Sequence, residues 1–125
     1  MKTLGEFYKE RVLSLPGTSL IKRELPDNSG EIKIERDLFG WKLYSGKNFI
    51  ECTSEEEARY LKIFLDAGLK EVYIPPEKQL KELLPELELL KEKIDKIINF
   101  YIDGILDHRI REKIRNEVYR EITSY

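Results

Sequence analysis

Four groups of residues in this chain carry side chains able to do chemistry. Asp27, Glu31 and Lys33 supply two carboxylates and a lysine within seven positions. Such a set can hold Mg²⁺ and position the water that attacks a phosphodiester. The spacing argues against it. Pro26-Asp27-Asn28-Ser29-Gly30 spells a tight turn, whereas that chemistry draws its acids from neighbouring strands. The ordinary reading is a turn followed by a polar strand face.

The single histidine, His108, lies near Asp103, Asp107 and Glu112. Asp103 with Asp107 and His108 with Glu112 are four apart, so each pair would share one helical face. Metal binding or acid–base work is chemically open to them. The plainer reading is a solvated bend whose side chains cap helix ends. Cys52 is the only cysteine. It excludes an intramolecular disulfide, and no motif joins it to His108 for nucleophilic work. The seven glycines are isolated, so neither phosphate-cradling fingerprint is present. No catalytic residue, metal site or cofactor is therefore assigned from the sequence, and the chain reads as a non-enzyme.

Two further groups favour binding. Tyr44 and Phe49 share one face of a strand pair, with Tyr73 a candidate third member and Lys33 and Lys42 on compatible faces. Aromatics among lysines on an open sheet can stack the bases of single-stranded nucleic acid. Covered by a helix, the same residues are ordinary core. The other group is helical. Leu87, Leu90, Ile94, Ile97 and Tyr101 recur at nearly heptad spacing, and Ile110, Ile114 and Val118 follow at intervals of four. Arg109, Arg111, Lys113 and Arg115 flank the second run. Such a helix can dock on phosphates or on another helix. Its apolar stripe favours a protein partner, because phosphate contact alone needs none.

The elements that must carry these groups follow from periodicity. Leu4, Phe7, Tyr8, Val12 and Leu15 predict a helix over Thr3–Leu15, opened by a Thr3/Glu6 capping box and closed by Pro16-Gly17. A strand over Thr18–Glu24 and another over Glu31–Arg36 are expected. Trp41–Cys52 reads as a hairpin about a Gly46-Lys47 loop. That loop pairs Ser45 with Asn48, Tyr44 with Phe49, Leu43 with Ile50, Lys42 with Glu51 and Trp41 with Cys52. Trp41, Leu43, Ile50 and Cys52 then share the inner face.

Ser54 with Glu57 starts the next helix, with Ala58, Leu61, Phe64 and Leu65 inward, and Gly68 ends it. Val72 and Ile74 mark a short strand stopped by Pro75-Pro76. Strand, helix and strand in this order predict a βαβ unit with parallel strands. A short helix is expected over Glu77–Leu84, and Pro85 suits the first position of a longer one. A bend or break is expected between Asp103 and His108.

The expected class is α+β: a small mixed sheet with an N-terminal helix and a long helical C-terminal extension. The expected organisation is a sheet domain over 1–84 and a helical extension over 85–125. The central core bets are Trp41, Leu43, Ile50, Ala58, Leu61, Leu65, Val72 and Ile74.

Composition sets the outer bounds. The chain has 125 residues, 37% of them charged, with a formal net charge of −2. A strongly basic DNA-coating protein and an acidic disordered tail are both excluded. The balance is local rather than uniform. Residues 51–107 hold 8 basic and 14 acidic groups, net −6, and residues 108–125 hold 5 and 3, net +2. Charge drawn from Lys and Glu, with few thermolabile side chains, is thermophile-like. No apolar run nears the roughly 20 residues that span a bilayer. No signal peptide is read at Met1-Lys2, so a cytoplasmic protein is expected. The functional expectation is an interaction module or assembly subunit acting through its C-terminal helices, most simply as a homodimer. The alternative is a nucleic-acid-binding accessory protein.

Overall fold

A computed structural model describes residues 3–27, 30–103, 109, 110 and 113. Helix α1 (Leu4–Arg11) opens as its capping residues dictate, the Thr3 hydroxyl accepting from the Glu6 N–H at 3.0 Å. It is shorter than the apolar pattern implies, and turns carry the chain through Leu15. The strand expected from Thr18 begins later. The Ser19 N–H and hydroxyl both donate to the Pro16 carbonyl, at 2.9 and 2.6 Å. These bonds curl Gly17–Ser19 into a single 3₁₀ turn before β1 (Ile21–Glu24).

Strands β2 (Ile32–Asp37), β3 (Gly40–Ser45) and β4 (Asn48–Cys52) form an antiparallel meander. The β3–β4 register is the one the two-residue loop implies, from Ser45 opposite Asn48 to Trp41 opposite Cys52. Helix α2 (Glu55–Asp66) packs on this sheet. Ser54 caps it, accepting from the Glu57 N–H at 3.1 Å, and Gly68 follows its end at φ +90°. The buried Glu57 carboxylate reaches one residue further back than a standard capping box. It accepts from the Thr53 N–H at 3.3 Å, from the Thr53 hydroxyl and from Arg23 at 2.9 Å.

The class is α+β, with the N-terminal helix and the long C-terminal helix as expected. The single mixed sheet and the βαβ unit are corrected. Strand β5 (Glu71–Ile74) leaves the meander and pairs antiparallel with β1, placing Ile74 opposite Ile21 and Val72 opposite Arg23. There are two small antiparallel sheets. The edge of β4, where a parallel strand would sit, is met instead by a side chain: the Glu51 carbonyl accepts from Arg23 at 2.6 Å.

The helix pair expected to meet at Pro85 is one helix, α3 (Glu77–Ile102), with Pro85 inside it. A proline there removes one helical hydrogen bond and costs about 3 kcal/mol. Leu80, Leu83, Leu84 and Leu87 are buried on both sides of it. Burying each such side chain contributes roughly 1.5–3 kcal/mol, so packing outweighs the proline. The expected division at 84/85 thus falls within a helix whose two parts share one core. The helix ends at Asp103, where ψ becomes 133°, at the start of the stretch expected to bend. Residues 104–108 lie outside the described residues.

The core joins Leu4, Phe7 and Tyr8 of α1, Leu43 of β3, the inner face of α2, Val72 and Ile74 of β5, and the inner face of α3. Six of the eight core bets are buried. Trp41 and Ile50 are half-buried at the periphery. No helix among the described residues is long and apolar enough to cross a membrane.

Candidate interaction surfaces

The apolar residues of the long helix divide into buried and exposed members. Leu87, Ile94 and Ile98 face inward and continue the three- and four-residue spacing of Leu80, Leu83, Leu84 and Leu87. That stripe packs α3 on α1 and α2, while α2 is the helix that packs on the strands. Ion pairs line its margins. Arg11 of α1 bonds Glu86, and Arg59 of α2 grips Glu88 through two nitrogens. Lys91 is buried, with its ammonium 2.6 Å from Asp66 and 2.7 Å from Asp95. The Arg59–Glu88 pair raises the guanidinium pKa further above its ordinary value.

A second set of apolar residues is exposed, from the flank of the buried stripe round to the far side. Leu89, Ile97 and Phe100 belong to it, and Phe100 is 78% exposed. At 100° per residue Leu89 and Phe100 lie about 20° apart and roughly 120–160° from Leu87 and Ile94, whereas Ile97 lies at the flank, about 60° from Ile94 and about 20° from Leu90. The predicted partner-binding residues therefore divide. Leu87 and Ile94 belong to the chain's own core, Leu90 is half-buried, and Ile97 and Ile110 are exposed. The Tyr101 side chain, Ile114 and Val118 lie outside the described residues. Leu89 and Phe100 were not anticipated. The signal for them is a second helical phase, Leu89-Lys93-Ile97-Phe100, embedded in the first.

The outer face of the meander is not covered by any described helix. Lys33 opposes Tyr44, and Tyr44 opposes Phe49, so the three form one row across the strands. The Tyr44 and Phe49 rings meet at 5.4 Å, and the Lys42 ammonium lies 5.1 Å above the Phe49 ring. Phe49 is 48% exposed and Tyr44 half-buried. Tyr73 does not join them, because β5 belongs to the other sheet and Tyr73 opposes Lys22 there. The lysines are also not free for phosphate. Lys42 pairs with Asp37 at 2.7 Å, and Lys33 lies 3.6 Å from Glu31. The Lys42–Asp37 bond raises the lysine pKa and lowers that of the aspartate. Glu35 opposes Lys42 and Glu51 follows on the same face, so carboxylates alternate with the cations. Of the basic residues in the C-terminal run, Arg109 and Lys113 are exposed, and Arg111 and Arg115 lie outside the described residues.

The catalytic alternatives gain no geometry. Asp27 and Glu31 flank undescribed positions and are exposed, and His108 lies outside the described residues. Among the described residues no three His, Cys, Asp or Glu side chains are grouped so as to hold a metal. Cys52 is buried, and its desolvation pushes the thiol up to about 11. At neutral pH it is a protonated, small core residue. A cleft of about 440 Å³ runs between α2 and α3, with Ile34 and Ile63 at its apolar part. Its walls hold the Arg59–Glu88 and Asp66–Lys91–Asp95 pairs, so the cations and anions there already neutralise one another. Comparison with protein-family models, with characterised proteins and with solved structures finds nothing that matches this chain.

Proposed function

We propose that the protein is a non-enzymatic interaction module, a self-associating chain or a subunit of a larger assembly, acting through the outer face of α3 and the segment after it. One observation carries the reading. The inner face of α3 is occupied by the chain's own core, yet Leu89 and Phe100 stand exposed on its far side and Ile97 at its flank. This exposed apolar surface is additional to the core that the described residues form. Buried against a partner helix, it contributes roughly 25 cal/mol per Å² covered. The basic residues after it, Arg109 and Lys113 among them, would meet the acidic middle of the chain or an acidic partner. Light scattering at micromolar concentration, repeated with Ile97→Glu, tests this. A strictly monomeric wild-type chain that also recovers no partner in a pull-down contradicts it.

A second reading keeps one supporting observation. The Tyr44–Phe49 pair is not covered by any described helix, so bases could stack there. The carboxylates of Glu35, Asp37 and Glu51 on the same face oppose a phosphate backbone. Titration with labelled single- and double-stranded oligonucleotides decides: binding that weakens with salt and with Phe49→Ala supports this reading, and no binding at low salt removes it.

A further inference from the structure

The turn between β2 and β3 is built of the wrong residues for a solvent loop. Leu38 is 99% exposed and Phe39 is 89% exposed. Turns favour Gly, Asn, Asp and Ser because those residues adopt or bond the turn backbone. Here only the flanks do so. The Asp37 carboxylate accepts from the Phe39 N–H at 2.8 Å and from Lys42 at 2.7 Å, and Gly40 takes φ +123°. The turn is held in shape from both sides, and two large apolar side chains project from it. A preorganised projection loses little entropy on docking.

The same end of the molecule holds a hollow. Trp41 opposes Cys52, so β4 ends beside the tip, and Thr53 and Ser54 pass directly into the hollow's wall. The rest of the wall is Ile21, Ile74, Pro75, Pro76 and Leu80 with the paired Arg23 and Glu57 and with Glu77, around about 220 Å³. Ile21 is 65% exposed at its edge. That volume falls below the roughly 300–1,000 Å³ of small-molecule sites and suits one or two side chains.

We propose that two copies of this chain exchange their β2–β3 tips, each seating Leu38 and Phe39 in the hollow beside the other's tip. A projection next to a matching hollow is self-complementary, so a two-fold axis closes the contact with both sites filled. The charges agree. Arg36 stands exposed beside the tip, and Glu77 lies exposed on the hollow's rim, held by Lys81 only at 3.5 Å. In the exchange each Arg36 approaches the partner's rim carboxylate. A lipid surface is the poorer match, because Glu35, Asp37 and Glu51 surround the tip and oppose anionic headgroups.

This contact is separate from the outer face of α3, and the two are tested apart. Sedimentation velocity on the full chain over the micromolar range compares wild type with Phe39→Ser, Ile97→Glu, Arg36→Glu, Glu77→Arg and the double charge exchange. Circular dichroism checks that each variant folds. The exchange predicts that wild type self-associates and that Phe39→Ser weakens association on the order of tenfold or more, as for a central apolar anchor. Ile97→Glu leaves that step in place. Each single charge reversal weakens it, and the double exchange restores it. A monomeric wild type, or a Phe39→Ser chain that associates like wild type, overturns the proposal. Single reversals that weaken association without rescue in the double variant overturn the hollow as the seat. Loss of association with Ile97→Glu alone overturns the tip exchange and leaves the α3 reading standing.

Discussion

The two small sheets handle their exposed backbone and faces in opposite ways. The β1–β5 pair is closed off. On the side of β5 away from β1, the Tyr73 N–H donates to the Tyr8 hydroxyl at 2.9 Å, and the Tyr73 carbonyl accepts from the Tyr60 hydroxyl at 2.7 Å. Two helices thus cap the strand edge with tyrosine hydroxyls, which removes a template for pairing with another chain. Arg23 ties the other strand to Glu57 and to the Glu51 carbonyl. The β2–β4 meander has one face under α2 and leaves the other open, with an apolar tip at its end. The first sheet serves the fold. The second, like α3, spends one face on the fold, and its other face is the one proposed for contact.

The largest effect that bears on this contrast is within the meander itself. Leu43 is fully buried under α2, and Leu43→Ala is expected to lower unfolding free energy by about 2–5 kcal/mol in urea melts. Phe49→Ala, on the neighbouring strand and the open face, gives up its contacts with Tyr44 and Lys42 and is expected to cost about 1 kcal/mol. Equal losses would mean that the outer face is also structural.

The closed sheet is probed by Tyr60→Phe, which strips the donor from the Tyr73 carbonyl and keeps the ring packed on Phe64 at 4.9 Å. An acceptor left without its partner costs about 1–3 kcal/mol. Hydrogen exchange in β5 should accelerate while exchange in β2–β4 stays as it was. A change spread evenly over both sheets would remove the distinction between them.

Two smaller effects follow. A Cβ on Gly30 would come within 2.9 Å of the Gly46 Cα, so Gly30→Ala forces the β2 start away from the β3–β4 turn. Overpacking of this kind costs about 1–3 kcal/mol, and less where the chain yields. Cys52 supplies a pH dependence. Burial pushes its folded thiol up to about 11, above the ordinary 9.0 of an exposed thiol. Below pH 9 it is protonated in both states and adds no pH dependence. As pH rises from 9 toward 11 the unfolded chain ionises first, so stability falls. The Cys52→Ala variant should lose that part of the alkaline slope.

Local features were legible in the sequence, and long-range choices were not. Gly46-Lys47 is a two-residue loop, which leaves the β3–β4 register no freedom. Ser54 and Glu57 place the start of α2 because capping involves four neighbouring residues. The partner of β5 could not be read. Val72 and Ile74 fit any sheet face, and the choice of β1 depends on Tyr8, Tyr60 and Arg23, which lie far away in sequence. Pro85 misled because local propensity was weighed without the leucines that bury around it. At the candidate surface, Leu87, Ile94 and Ile97 were visible as one stripe. Their division into a core face and an open face depends on which side α1 and α2 occupy. The exposure of Leu38 and Phe39 could not be read, since exposure is not written in residue type.

The central claim is that the outer face of α3 is a contact surface rather than leftover apolar area. Light scattering of the full chain beside Ile97→Glu at equal concentration tests it most directly. The account predicts that wild type exceeds the variant by at least one whole chain mass of 14.9 kDa, with both equally folded. Identical masses for the two, with wild type at the monomer value and no partner recovered, would contradict it.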